Sequence, residues 1–409
     1  MKIALSTPVD LRALATYFGR EAATIPAGLG STATTPLIAA LLDRGHQVSI
    51  YTLSLDLQQE IIIRGPRLTA FVGPMRSAGR ARNVWKDEID YLAGALARER
   101  PAFVHAHWTY EFAMGALKSG VPTITTIHDL PWNVLRYFRD SYRAARLLLA
   151  YKVAWRGKRY TAVSSDAARH FRRYLRPNAH ITVIPNFLPD AVFAQGANAG
   201  ADPHPLTFYT VLQGWTTRKN GTAALRAFAT VRQRLPDSRL LMIGTDYEAL
   251  GIAHAWAQRH GFDQQVEFRG PLPYSTMLAS VRAEADILVH PSLDESFSMA
   301  ALEAMVLGKP VIAGRRTPGV REVLGFGRCG LLVDVKSPQA LAAAMVRLAL
   351  DLDLRENLSA TAYASAYQKY RAKPVLDTWE ALYSELEAGC TNASLPLPAM
   401  LAREREAKP

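Results

Sequence analysis

Residues 290–313 read HPSLDESFSMAALEAMVLGKPVIA and are followed by Pro318, Gly319 and Glu322; the fold is decided here. An apolar, β-branched run, Ala285–His290, enters a loop at Pro291. A segment rich in Ala, Leu and Met then continues to Gly308, a residue suited to stopping a helix. Strand, loop and helix make one βα unit of a parallel sheet. In such sheets ligands gather beyond the carboxyl ends of the strands, where free N–H groups and the helix dipole attract anions. Glu295 falls in that mouth, and Glu303, on the helix, lies about 12 Å deeper on a neighbouring face. Carboxylates so placed suit one long polar ligand better than a shared proton or metal. The plain alternative is a glutamate favoured at a helix start and a second one that is merely solvated.

The neighbouring residues favour the ligand. Pro-Ser-x-x-Glu-x-Phe from Pro291, Glu303-Ala-Met, Gly308-x-Pro-Val-Ile-Ala and the later Gly319-x-x-Glu322 together resemble the donor-sugar signature of the retaining, nucleotide-sugar-dependent glycosyltransferases of family 4. The resemblance implies the GT-B fold: two Rossmann-like, doubly wound parallel-sheet domains facing one another across a cleft. It also implies that Glu303 holds the ribose hydroxyls and that Glu295 faces the transferred sugar. Ser296, Phe297, Ser298 and Met299 would offer backbone N–H groups to sugar and phosphate, although the family usually has glycine where Ser296 and Ser298 stand.

The chain has 409 residues, 49% of them apolar, enough for two buried cores. No apolar run approaches the length of a membrane span, and the N-terminus, Met1–Pro8, reads as a first strand rather than a secretory signal. Two cysteines, Cys329 and Cys390, without metal-ligand spacing fit a reducing cytoplasm. The net charge of +12 is concentrated in one half. Residues 1–190 hold 25 Lys and Arg against 14 Asp and Glu, whereas the remainder is near neutral. The richest stretch runs from Trp132 to Arg176, where twelve basic residues alternate with aromatic and aliphatic ones. Such a segment can lie on an anionic membrane surface; it can equally be a solvated face.

Apolar runs at Ile3–Ser6, Gln47–Thr52, Phe103–His107, Thr123–His128, Tyr160–Ser164 and Ile181–Pro185 alternate with helical patterns over 1–190. They form a first Rossmann-like domain, which the resemblance implies binds the acceptor. Residues 191–205, dense in Pro, Gly and small residues, are the linker candidate. The alternation restarts over 206–367, by resemblance the nucleotide-sugar donor domain, with strands at Leu206–Leu212, Arg239–Ile243, Gln265–Phe268, Ile287–His290 and Val311–Ala313. By resemblance a last helix, about 373–388, crosses back to the first domain; residues 390–409 are expected to be disordered.

Cations and N–H groups hold diphosphate. After the first strand of the second domain comes Gly214-Trp215-Thr216-Thr217-Arg218-Lys219, where the family keeps a basic pair. Lys219 matches its lysine; Trp215 replaces its arginine, which leaves Arg218 as the substitute. Gly244 resembles the family's turn near the nucleotide, and Arg269 lies in the strand whose backbone reads the base. In the first half, Gly28 and Gly30 resemble the loop near diphosphate and acceptor, separated from the first strand by an unassigned spacer, Val9–Thr24. His105-x-His107 and His128-Asp129 end two strands. His107 is grouped with the acceptor loop, and His128 aligns with the histidine the family places beside the transferred sugar. No metal or cofactor is expected beyond a UDP- or GDP-linked sugar. The expected reaction moves a hexose from that donor to a glycan or lipid-linked acceptor at the cytoplasmic face of a membrane, in cell-surface polysaccharide or glycolipid synthesis. Other readings are a GT-B epimerase or phosphorylase, an NAD-dependent dehydrogenase, which the spacer argues against, or a basic binding protein.

Overall fold

The computed structural model describes residues 1–196 and 204–388. The tail expectation for 390–409 and Cys390 lie outside the described residues. One sheet holds β1 (Lys2–Ser6), β2 (Gln47–Ser54), β3 (Ile61–Arg64), β4 (Leu68–Pro74), β5 (Val104–His107), β6 (Thr123–Ile127), β7 (Arg159–Ala162) and β8 (Ile181–Val183). Their spatial order is β3-β4-β2-β1-β5-β6-β7-β8. A second sheet holds β9 (Thr207–Val211), β10 (Arg239–Ile243), β11 (Val266–Gly270), β12 (Ile287–His290), β13 (Val311–Gly314) and β14 (Leu331–Val333), in the order β11-β10-β9-β12-β13-β14. All pairings are parallel except β3 with β4. This is the GT-B architecture.

The antiparallel β3 is a departure from the expected all-parallel sheet, and its cause is local. Gly65-Pro66 stops the run of three isoleucines, and Gly65 N–H donates to Leu68 O at 2.7 Å, closing a short hairpin at the sheet edge. In each sheet the strand order reverses beside the first strand, between β1 and β5 and between β9 and β12. Those are the crevices where open α/β sheets bind ligands, and the loops after β9 and β12 carry Lys219 and Glu295.

The spacer Val9–Thr24 is a small helical excursion. Leu11, Leu14, Phe18 and Ile25 pack into the core with β1 and the helix Thr34–Asp43. The chain returns through a bridge between Asp10 and Gly28, and Val9 O accepts from the N–H groups of Leu29 and Gly30 at 3.1 and 3.2 Å. A Cβ on Gly28 would stand 2.3 Å from Val9 O, and its φ is +77°, so glycine is required for the return. The loop thereby regains its place at the end of β1.

The linker candidate begins with structure. Asp190–Gly196 is a helix, and Phe193 packs edge-on against Tyr363 and Tyr367 of the helix Leu352–Lys369. Residues 197–203 lie outside the described residues. The final helix, Ala372–Glu387, buries Val375, Leu376, Trp379, Leu382 and Tyr383 in the same core as β1, β2 and β4. Arg44 and His46, from the turn before β2, bind its Glu380 at 2.7 and 2.8 Å.

Candidate active site

The two loops of the second sheet's crevice are tied together. Leu293 N–H donates to Arg218 O at 2.8 Å, and Asn220, in a left-handed conformation with φ 56°, donates to Pro291 O at 3.1 Å and Val335 O at 2.8 Å. The backbone before it is shaped by Trp215, whose N–H reaches Asp246 at 2.9 Å. The Trp215 ring packs against Tyr247 and Trp256. The residue that replaces the expected arginine is thus spent on an aromatic cluster, and the cations come three and four residues later.

Lys219 Nζ meets Glu295 at 2.5 Å, with both side chains nearly buried. His290 Nε2 lies 3.5 Å from the same carboxylate. Burial opposes ionisation of Glu295, but Lys219, His290 and Arg218 override it and hold the carboxyl well below its ordinary range. Arg218 donates to Asp294 O at 3.3 Å, and its Nε is buried without a partner. Asp294 is pushed up to about 6 by burial, against the pull of Asn133 and Arg218. One carboxylate, two cations and a histidine therefore meet where the first turn of the next helix begins.

That helix is Met299–Val306, capped by Ser298, whose hydroxyl accepts from Ala301 N–H at 3.3 Å. Ser298 has φ 88°, the region that favours glycine, which is why the family's glycine belongs there. Its hydroxyl also lies 3.3 Å from His290 Nε2. Among the described residues, the N–H groups of Ser296, Phe297, Ser298 and Met299 donate to no protein acceptor. The Phe297 ring is buried edge-on against Tyr370, so only its backbone faces the mouth. Glu303, deeper on the helix, is almost fully buried. Burial pushes it up to about 7, although the Tyr274 hydroxyl donates to it. Tyr209 lies close by, its hydroxyl buried without a partner.

Two other residues expected near the nucleotide do structural work with their side chains or lack of one. Arg269 spends its guanidinium on Glu267, Ser280 and Glu284, which leaves to the nucleotide only the backbone through which this strand was expected to act. Gly244 admits the close pass of the chain just after β9: a Cβ there would stand 1.7 Å from Leu212 O. Gly214, with φ +88°, donates to Thr245 O at 3.1 Å and shapes the loop before Lys219.

The first sheet meets this site from the opposite side. His128 follows β6, and its carbonyl accepts from the Ser296 hydroxyl; Ser164 donates to Ser296 O at 2.6 Å, and Asn133 to Asp294 at 2.6 Å. Asp166 binds Gly319 N–H at 3.0 Å and Arg321 at 2.7 Å, while Glu322 accepts from the N–H and hydroxyl of Ser165. The cleft is closed over the donor loops. Behind His128, Tyr110 donates to Asp129 at 2.7 Å, and Arg146 lies 3.6 Å over the Tyr110 ring and 3.5 Å from Glu111. His107, grouped with the acceptor loop by its sequence, is buried behind His128, its Nδ1 2.8 Å from His128 Nε2. Gly30 has φ +67° and open space where a Cβ would be.

Sequence reasoning missed His290, Asn133, Asp294, Tyr110, Asp129, Arg146, Tyr209 and Tyr274. His290 and Asp294 sit inside the quoted stretch and Asp129 beside His128, so position alone pointed to them. Nothing in the sequence linked the tyrosines or Arg146 to a site, because the fold alone brings them there.

Two family models match the chain: glycosyl transferases group 1 over residues 206–365 and glycosyltransferase family 4 over 30–191. A D-inositol 3-phosphate glycosyltransferase of Paenarthrobacter aurescens is 33% identical over 356 residues, 81% of this chain and 86% of that protein. An N-acetyl-alpha-D-glucosaminyl L-malate synthase of Bacillus anthracis is 24% identical over 306 residues, 72% of this chain and 77% of that one. Among solved structures, a sucrose-phosphate synthase from Thermosynechococcus elongatus superposes with a TM-score of 0.73 at 17% identity, covering 95% of this chain and all of the other. HepE of Anabaena, solved with UDP and glucose, gives 0.65 at 16% identity, covering 94% and 100%. At these identities the structural likeness speaks for the fold.

Proposed function

As the chain belongs to glycosyltransferase family 4, and is therefore a glycosyltransferase, we propose that it transfers a hexose from a UDP- or GDP-linked donor to a glycan or lipid-linked acceptor, with retention at the anomeric carbon. The observation that carries this reading is the cluster of Arg218, Lys219, His290 and Glu295 beside the unpartnered N–H groups of Ser296–Met299. Cations and helix-start N–H groups suit a departing diphosphate. In the reaction the anomeric C–O bond to the diphosphate breaks and a bond to the acceptor oxygen forms on the same face. The acceptor's hydroxyl proton leaves with the departing phosphate oxygen. Glu295, kept ionised, is suited to hold sugar hydroxyls, and Glu303 to accept from the ribose. These charges stand in for a metal ion, and none is assigned. Family membership sets aside the dehydrogenase and the purely basic binding module.

Thermal unfolding in the presence of UDP, GDP, ADP and their sugar conjugates tests the donor. One of UDP or GDP, at a hundredfold excess over its Kd, should stabilise the protein by about 2.7 kcal/mol, and ADP should not. The product should carry the donor's anomeric configuration by NMR. Absence of stabilisation by every nucleotide, or an inverted product, would sink the proposal.

The acceptor's setting is proposed to be an anionic membrane at its cytoplasmic face. Among the described residues no helix is long and apolar enough to cross a membrane, so contact would be peripheral. The structure narrows the basic stretch that motivated this. Arg146 is buried against Glu111 and Tyr110; Arg143 and Arg169 pair with Asp140 and Asp166; Arg172 and Arg176 bind backbone carbonyls. Exposed on the helix Ser141–Arg156 are Leu148, 50% exposed, Lys152, Arg156 and Trp155, 66% exposed, and Arg136, Arg139, Lys158 and Arg173 are exposed elsewhere in the stretch. Apolar residues flanked by lysine and arginine suit an interfacial helix. The double variant Leu148→Ser, Trp155→Ser should float with phosphatidylglycerol vesicles about tenfold less than wild type. Equal flotation of both proteins, or of wild type with neutral vesicles, would argue against this surface.

A further inference from the structure

Behind the site lies a stack of three histidine rings that the proposed chemistry leaves unexplained. His105 and His107, on β5, have ring centroids 4.0 Å apart. His105 is fixed at both nitrogens, Nδ1 by the Tyr383 hydroxyl of the final helix at 2.7 Å and Nε2 by Thr126 at 2.6 Å. Thr126 is bonded in turn to Thr161 at 2.6 Å. His107 Nδ1 lies 2.8 Å from His128 Nε2, and Trp108, with φ 62°, stacks on the His128 ring at 4.2 Å. His107 Nε2 is buried with no partner. Burial keeps both His107 and His128 neutral at physiological pH, the latter pushed down to about 3.

Two neutral rings sharing one contact hold one proton between them. If His128 donated from Nε2, His107 would carry its own proton on Nε2, an interior N–H with no acceptor. If His107 donates from Nδ1, the unpartnered Nε2 is a lone pair instead, and native interiors tolerate an under-used acceptor better than a stranded donor. His128 then keeps its proton on Nδ1. That nitrogen is not among the buried unpartnered atoms of the protein, and His128 retains some exposure at the cleft.

From this arrangement we infer that His107 is a positioning residue which fixes the tautomer of His128, so that His128 presents an N–H to the cleft and acts on substrate as a hydrogen-bond donor rather than as a base. The inference rests on the reading that His128 faces the transferred sugar. It assigns to His107 the second role in a pair, the orienting partner whose loss changes the character of the first ring.

Nitrogen-15 NMR of histidine-labelled protein reads the tautomer without turnover, so it decides this point whether or not a nucleotide-sugar is accepted. Wild-type His128 should show a protonated Nδ1 and a bare Nε2. His107→Asn places an amide N–H near the former Nδ1 and should preserve that pattern, with kcat within about fivefold of wild type. His107→Leu removes the donor. A mixed tautomer at His128 should follow, with kcat lower by about 10–100-fold and donor KM changed less than about threefold. A proton on His128 Nε2 in the wild-type spectrum overturns the inference even if the leucine variant does not fold. So does a folded leucine variant with unchanged tautomer and kcat.

Discussion

Lys219→Ala is expected to abolish measurable transfer and to destabilise the fold at the same time. The ammonium sits 2.5 Å from Glu295, and little of either side chain reaches solvent. Removing one partner of a buried pair strands the other and costs about 3 kcal/mol. The proposed departure of the diphosphate also loses its point charge, which lowers kcat by about 10³-fold. The sign with pH follows from Glu295. In the wild type the folded carboxyl is held below its ordinary value, so its stabilising contribution is complete above about pH 4.5 and is lost only as pH falls towards the folded value. Without Lys219 the burial that opposes ionisation is less well offset, and the destabilisation should be larger at pH 8 than at pH 5. The double variant Lys219→Ala, Glu295→Gln should regain stability by removing the stranded charge but should stay inactive. Chemical denaturation at the two pH values checks the first half and a donor-turnover assay the second. Wild-type kcat in the single variant, or a double variant no more stable than the single, would contradict this account of the pair.

The same loops show what a sequence reveals and what it conceals. The βα units of both sheets were legible because parallel strands buried on both faces read as short apolar runs, as in Ile287–His290, and because Gly308 marks a helix end. The site was legible where one segment carries several of its parts: Glu295, Ser298 and Glu303 all belong to a single strand-loop-helix. Beyond that the spacing was silent. The helix Leu352–Lys369 buries only Leu358, Ala362 and Ala366, too sparse a stripe to stand out from its polar surroundings. β3 and β4 are rich in β-branched and apolar residues but form a hairpin, which falls outside the repeating βα pattern. His107 and His128 each end an apolar strand, which puts both at one sheet edge but says nothing of their contact. The two strands are neighbours, and no pattern within either strand reports that their nitrogens meet. Likewise the sequence shows Trp215 only as a replacement for the expected arginine, while in the fold it anchors an aromatic cluster and leaves Lys219 to face Glu295.

Glu303→Gln should make the protein more stable near pH 8 while weakening its hold on nucleotide, a combination that an ordinary core substitution does not give. Burial pushes the Glu303 carboxyl up to about 7 despite the Tyr274 hydroxyl. An acid whose folded value exceeds its unfolded one binds more protons when folded, so stability falls as pH rises from about 4.5 to about 7 and then levels off. A shift of this size corresponds to about 3 kcal/mol of lost stability above pH 7. The amide is neutral and keeps nearly the same shape, so the variant should unfold several degrees higher than wild type at pH 8 and at about the same temperature at pH 4.5. Ribose hydroxyls donating to an ionised Glu303 would offset the same cost on binding. UDP or GDP binding to wild type below pH 7 should therefore release protons, seen as a calorimetric enthalpy that varies with the ionisation heat of the buffer. In the variant that release should vanish and affinity should drop by about tenfold or more. Equal nucleotide affinity would remove Glu303 from the donor site, and an unfolding temperature no higher than wild type at pH 8 would mean that the carboxylate is compensated in the fold. A nucleotide is thus expected to bind where the empty protein is least stable, which explains how a buried carboxylate can remain in the middle of an apolar helix.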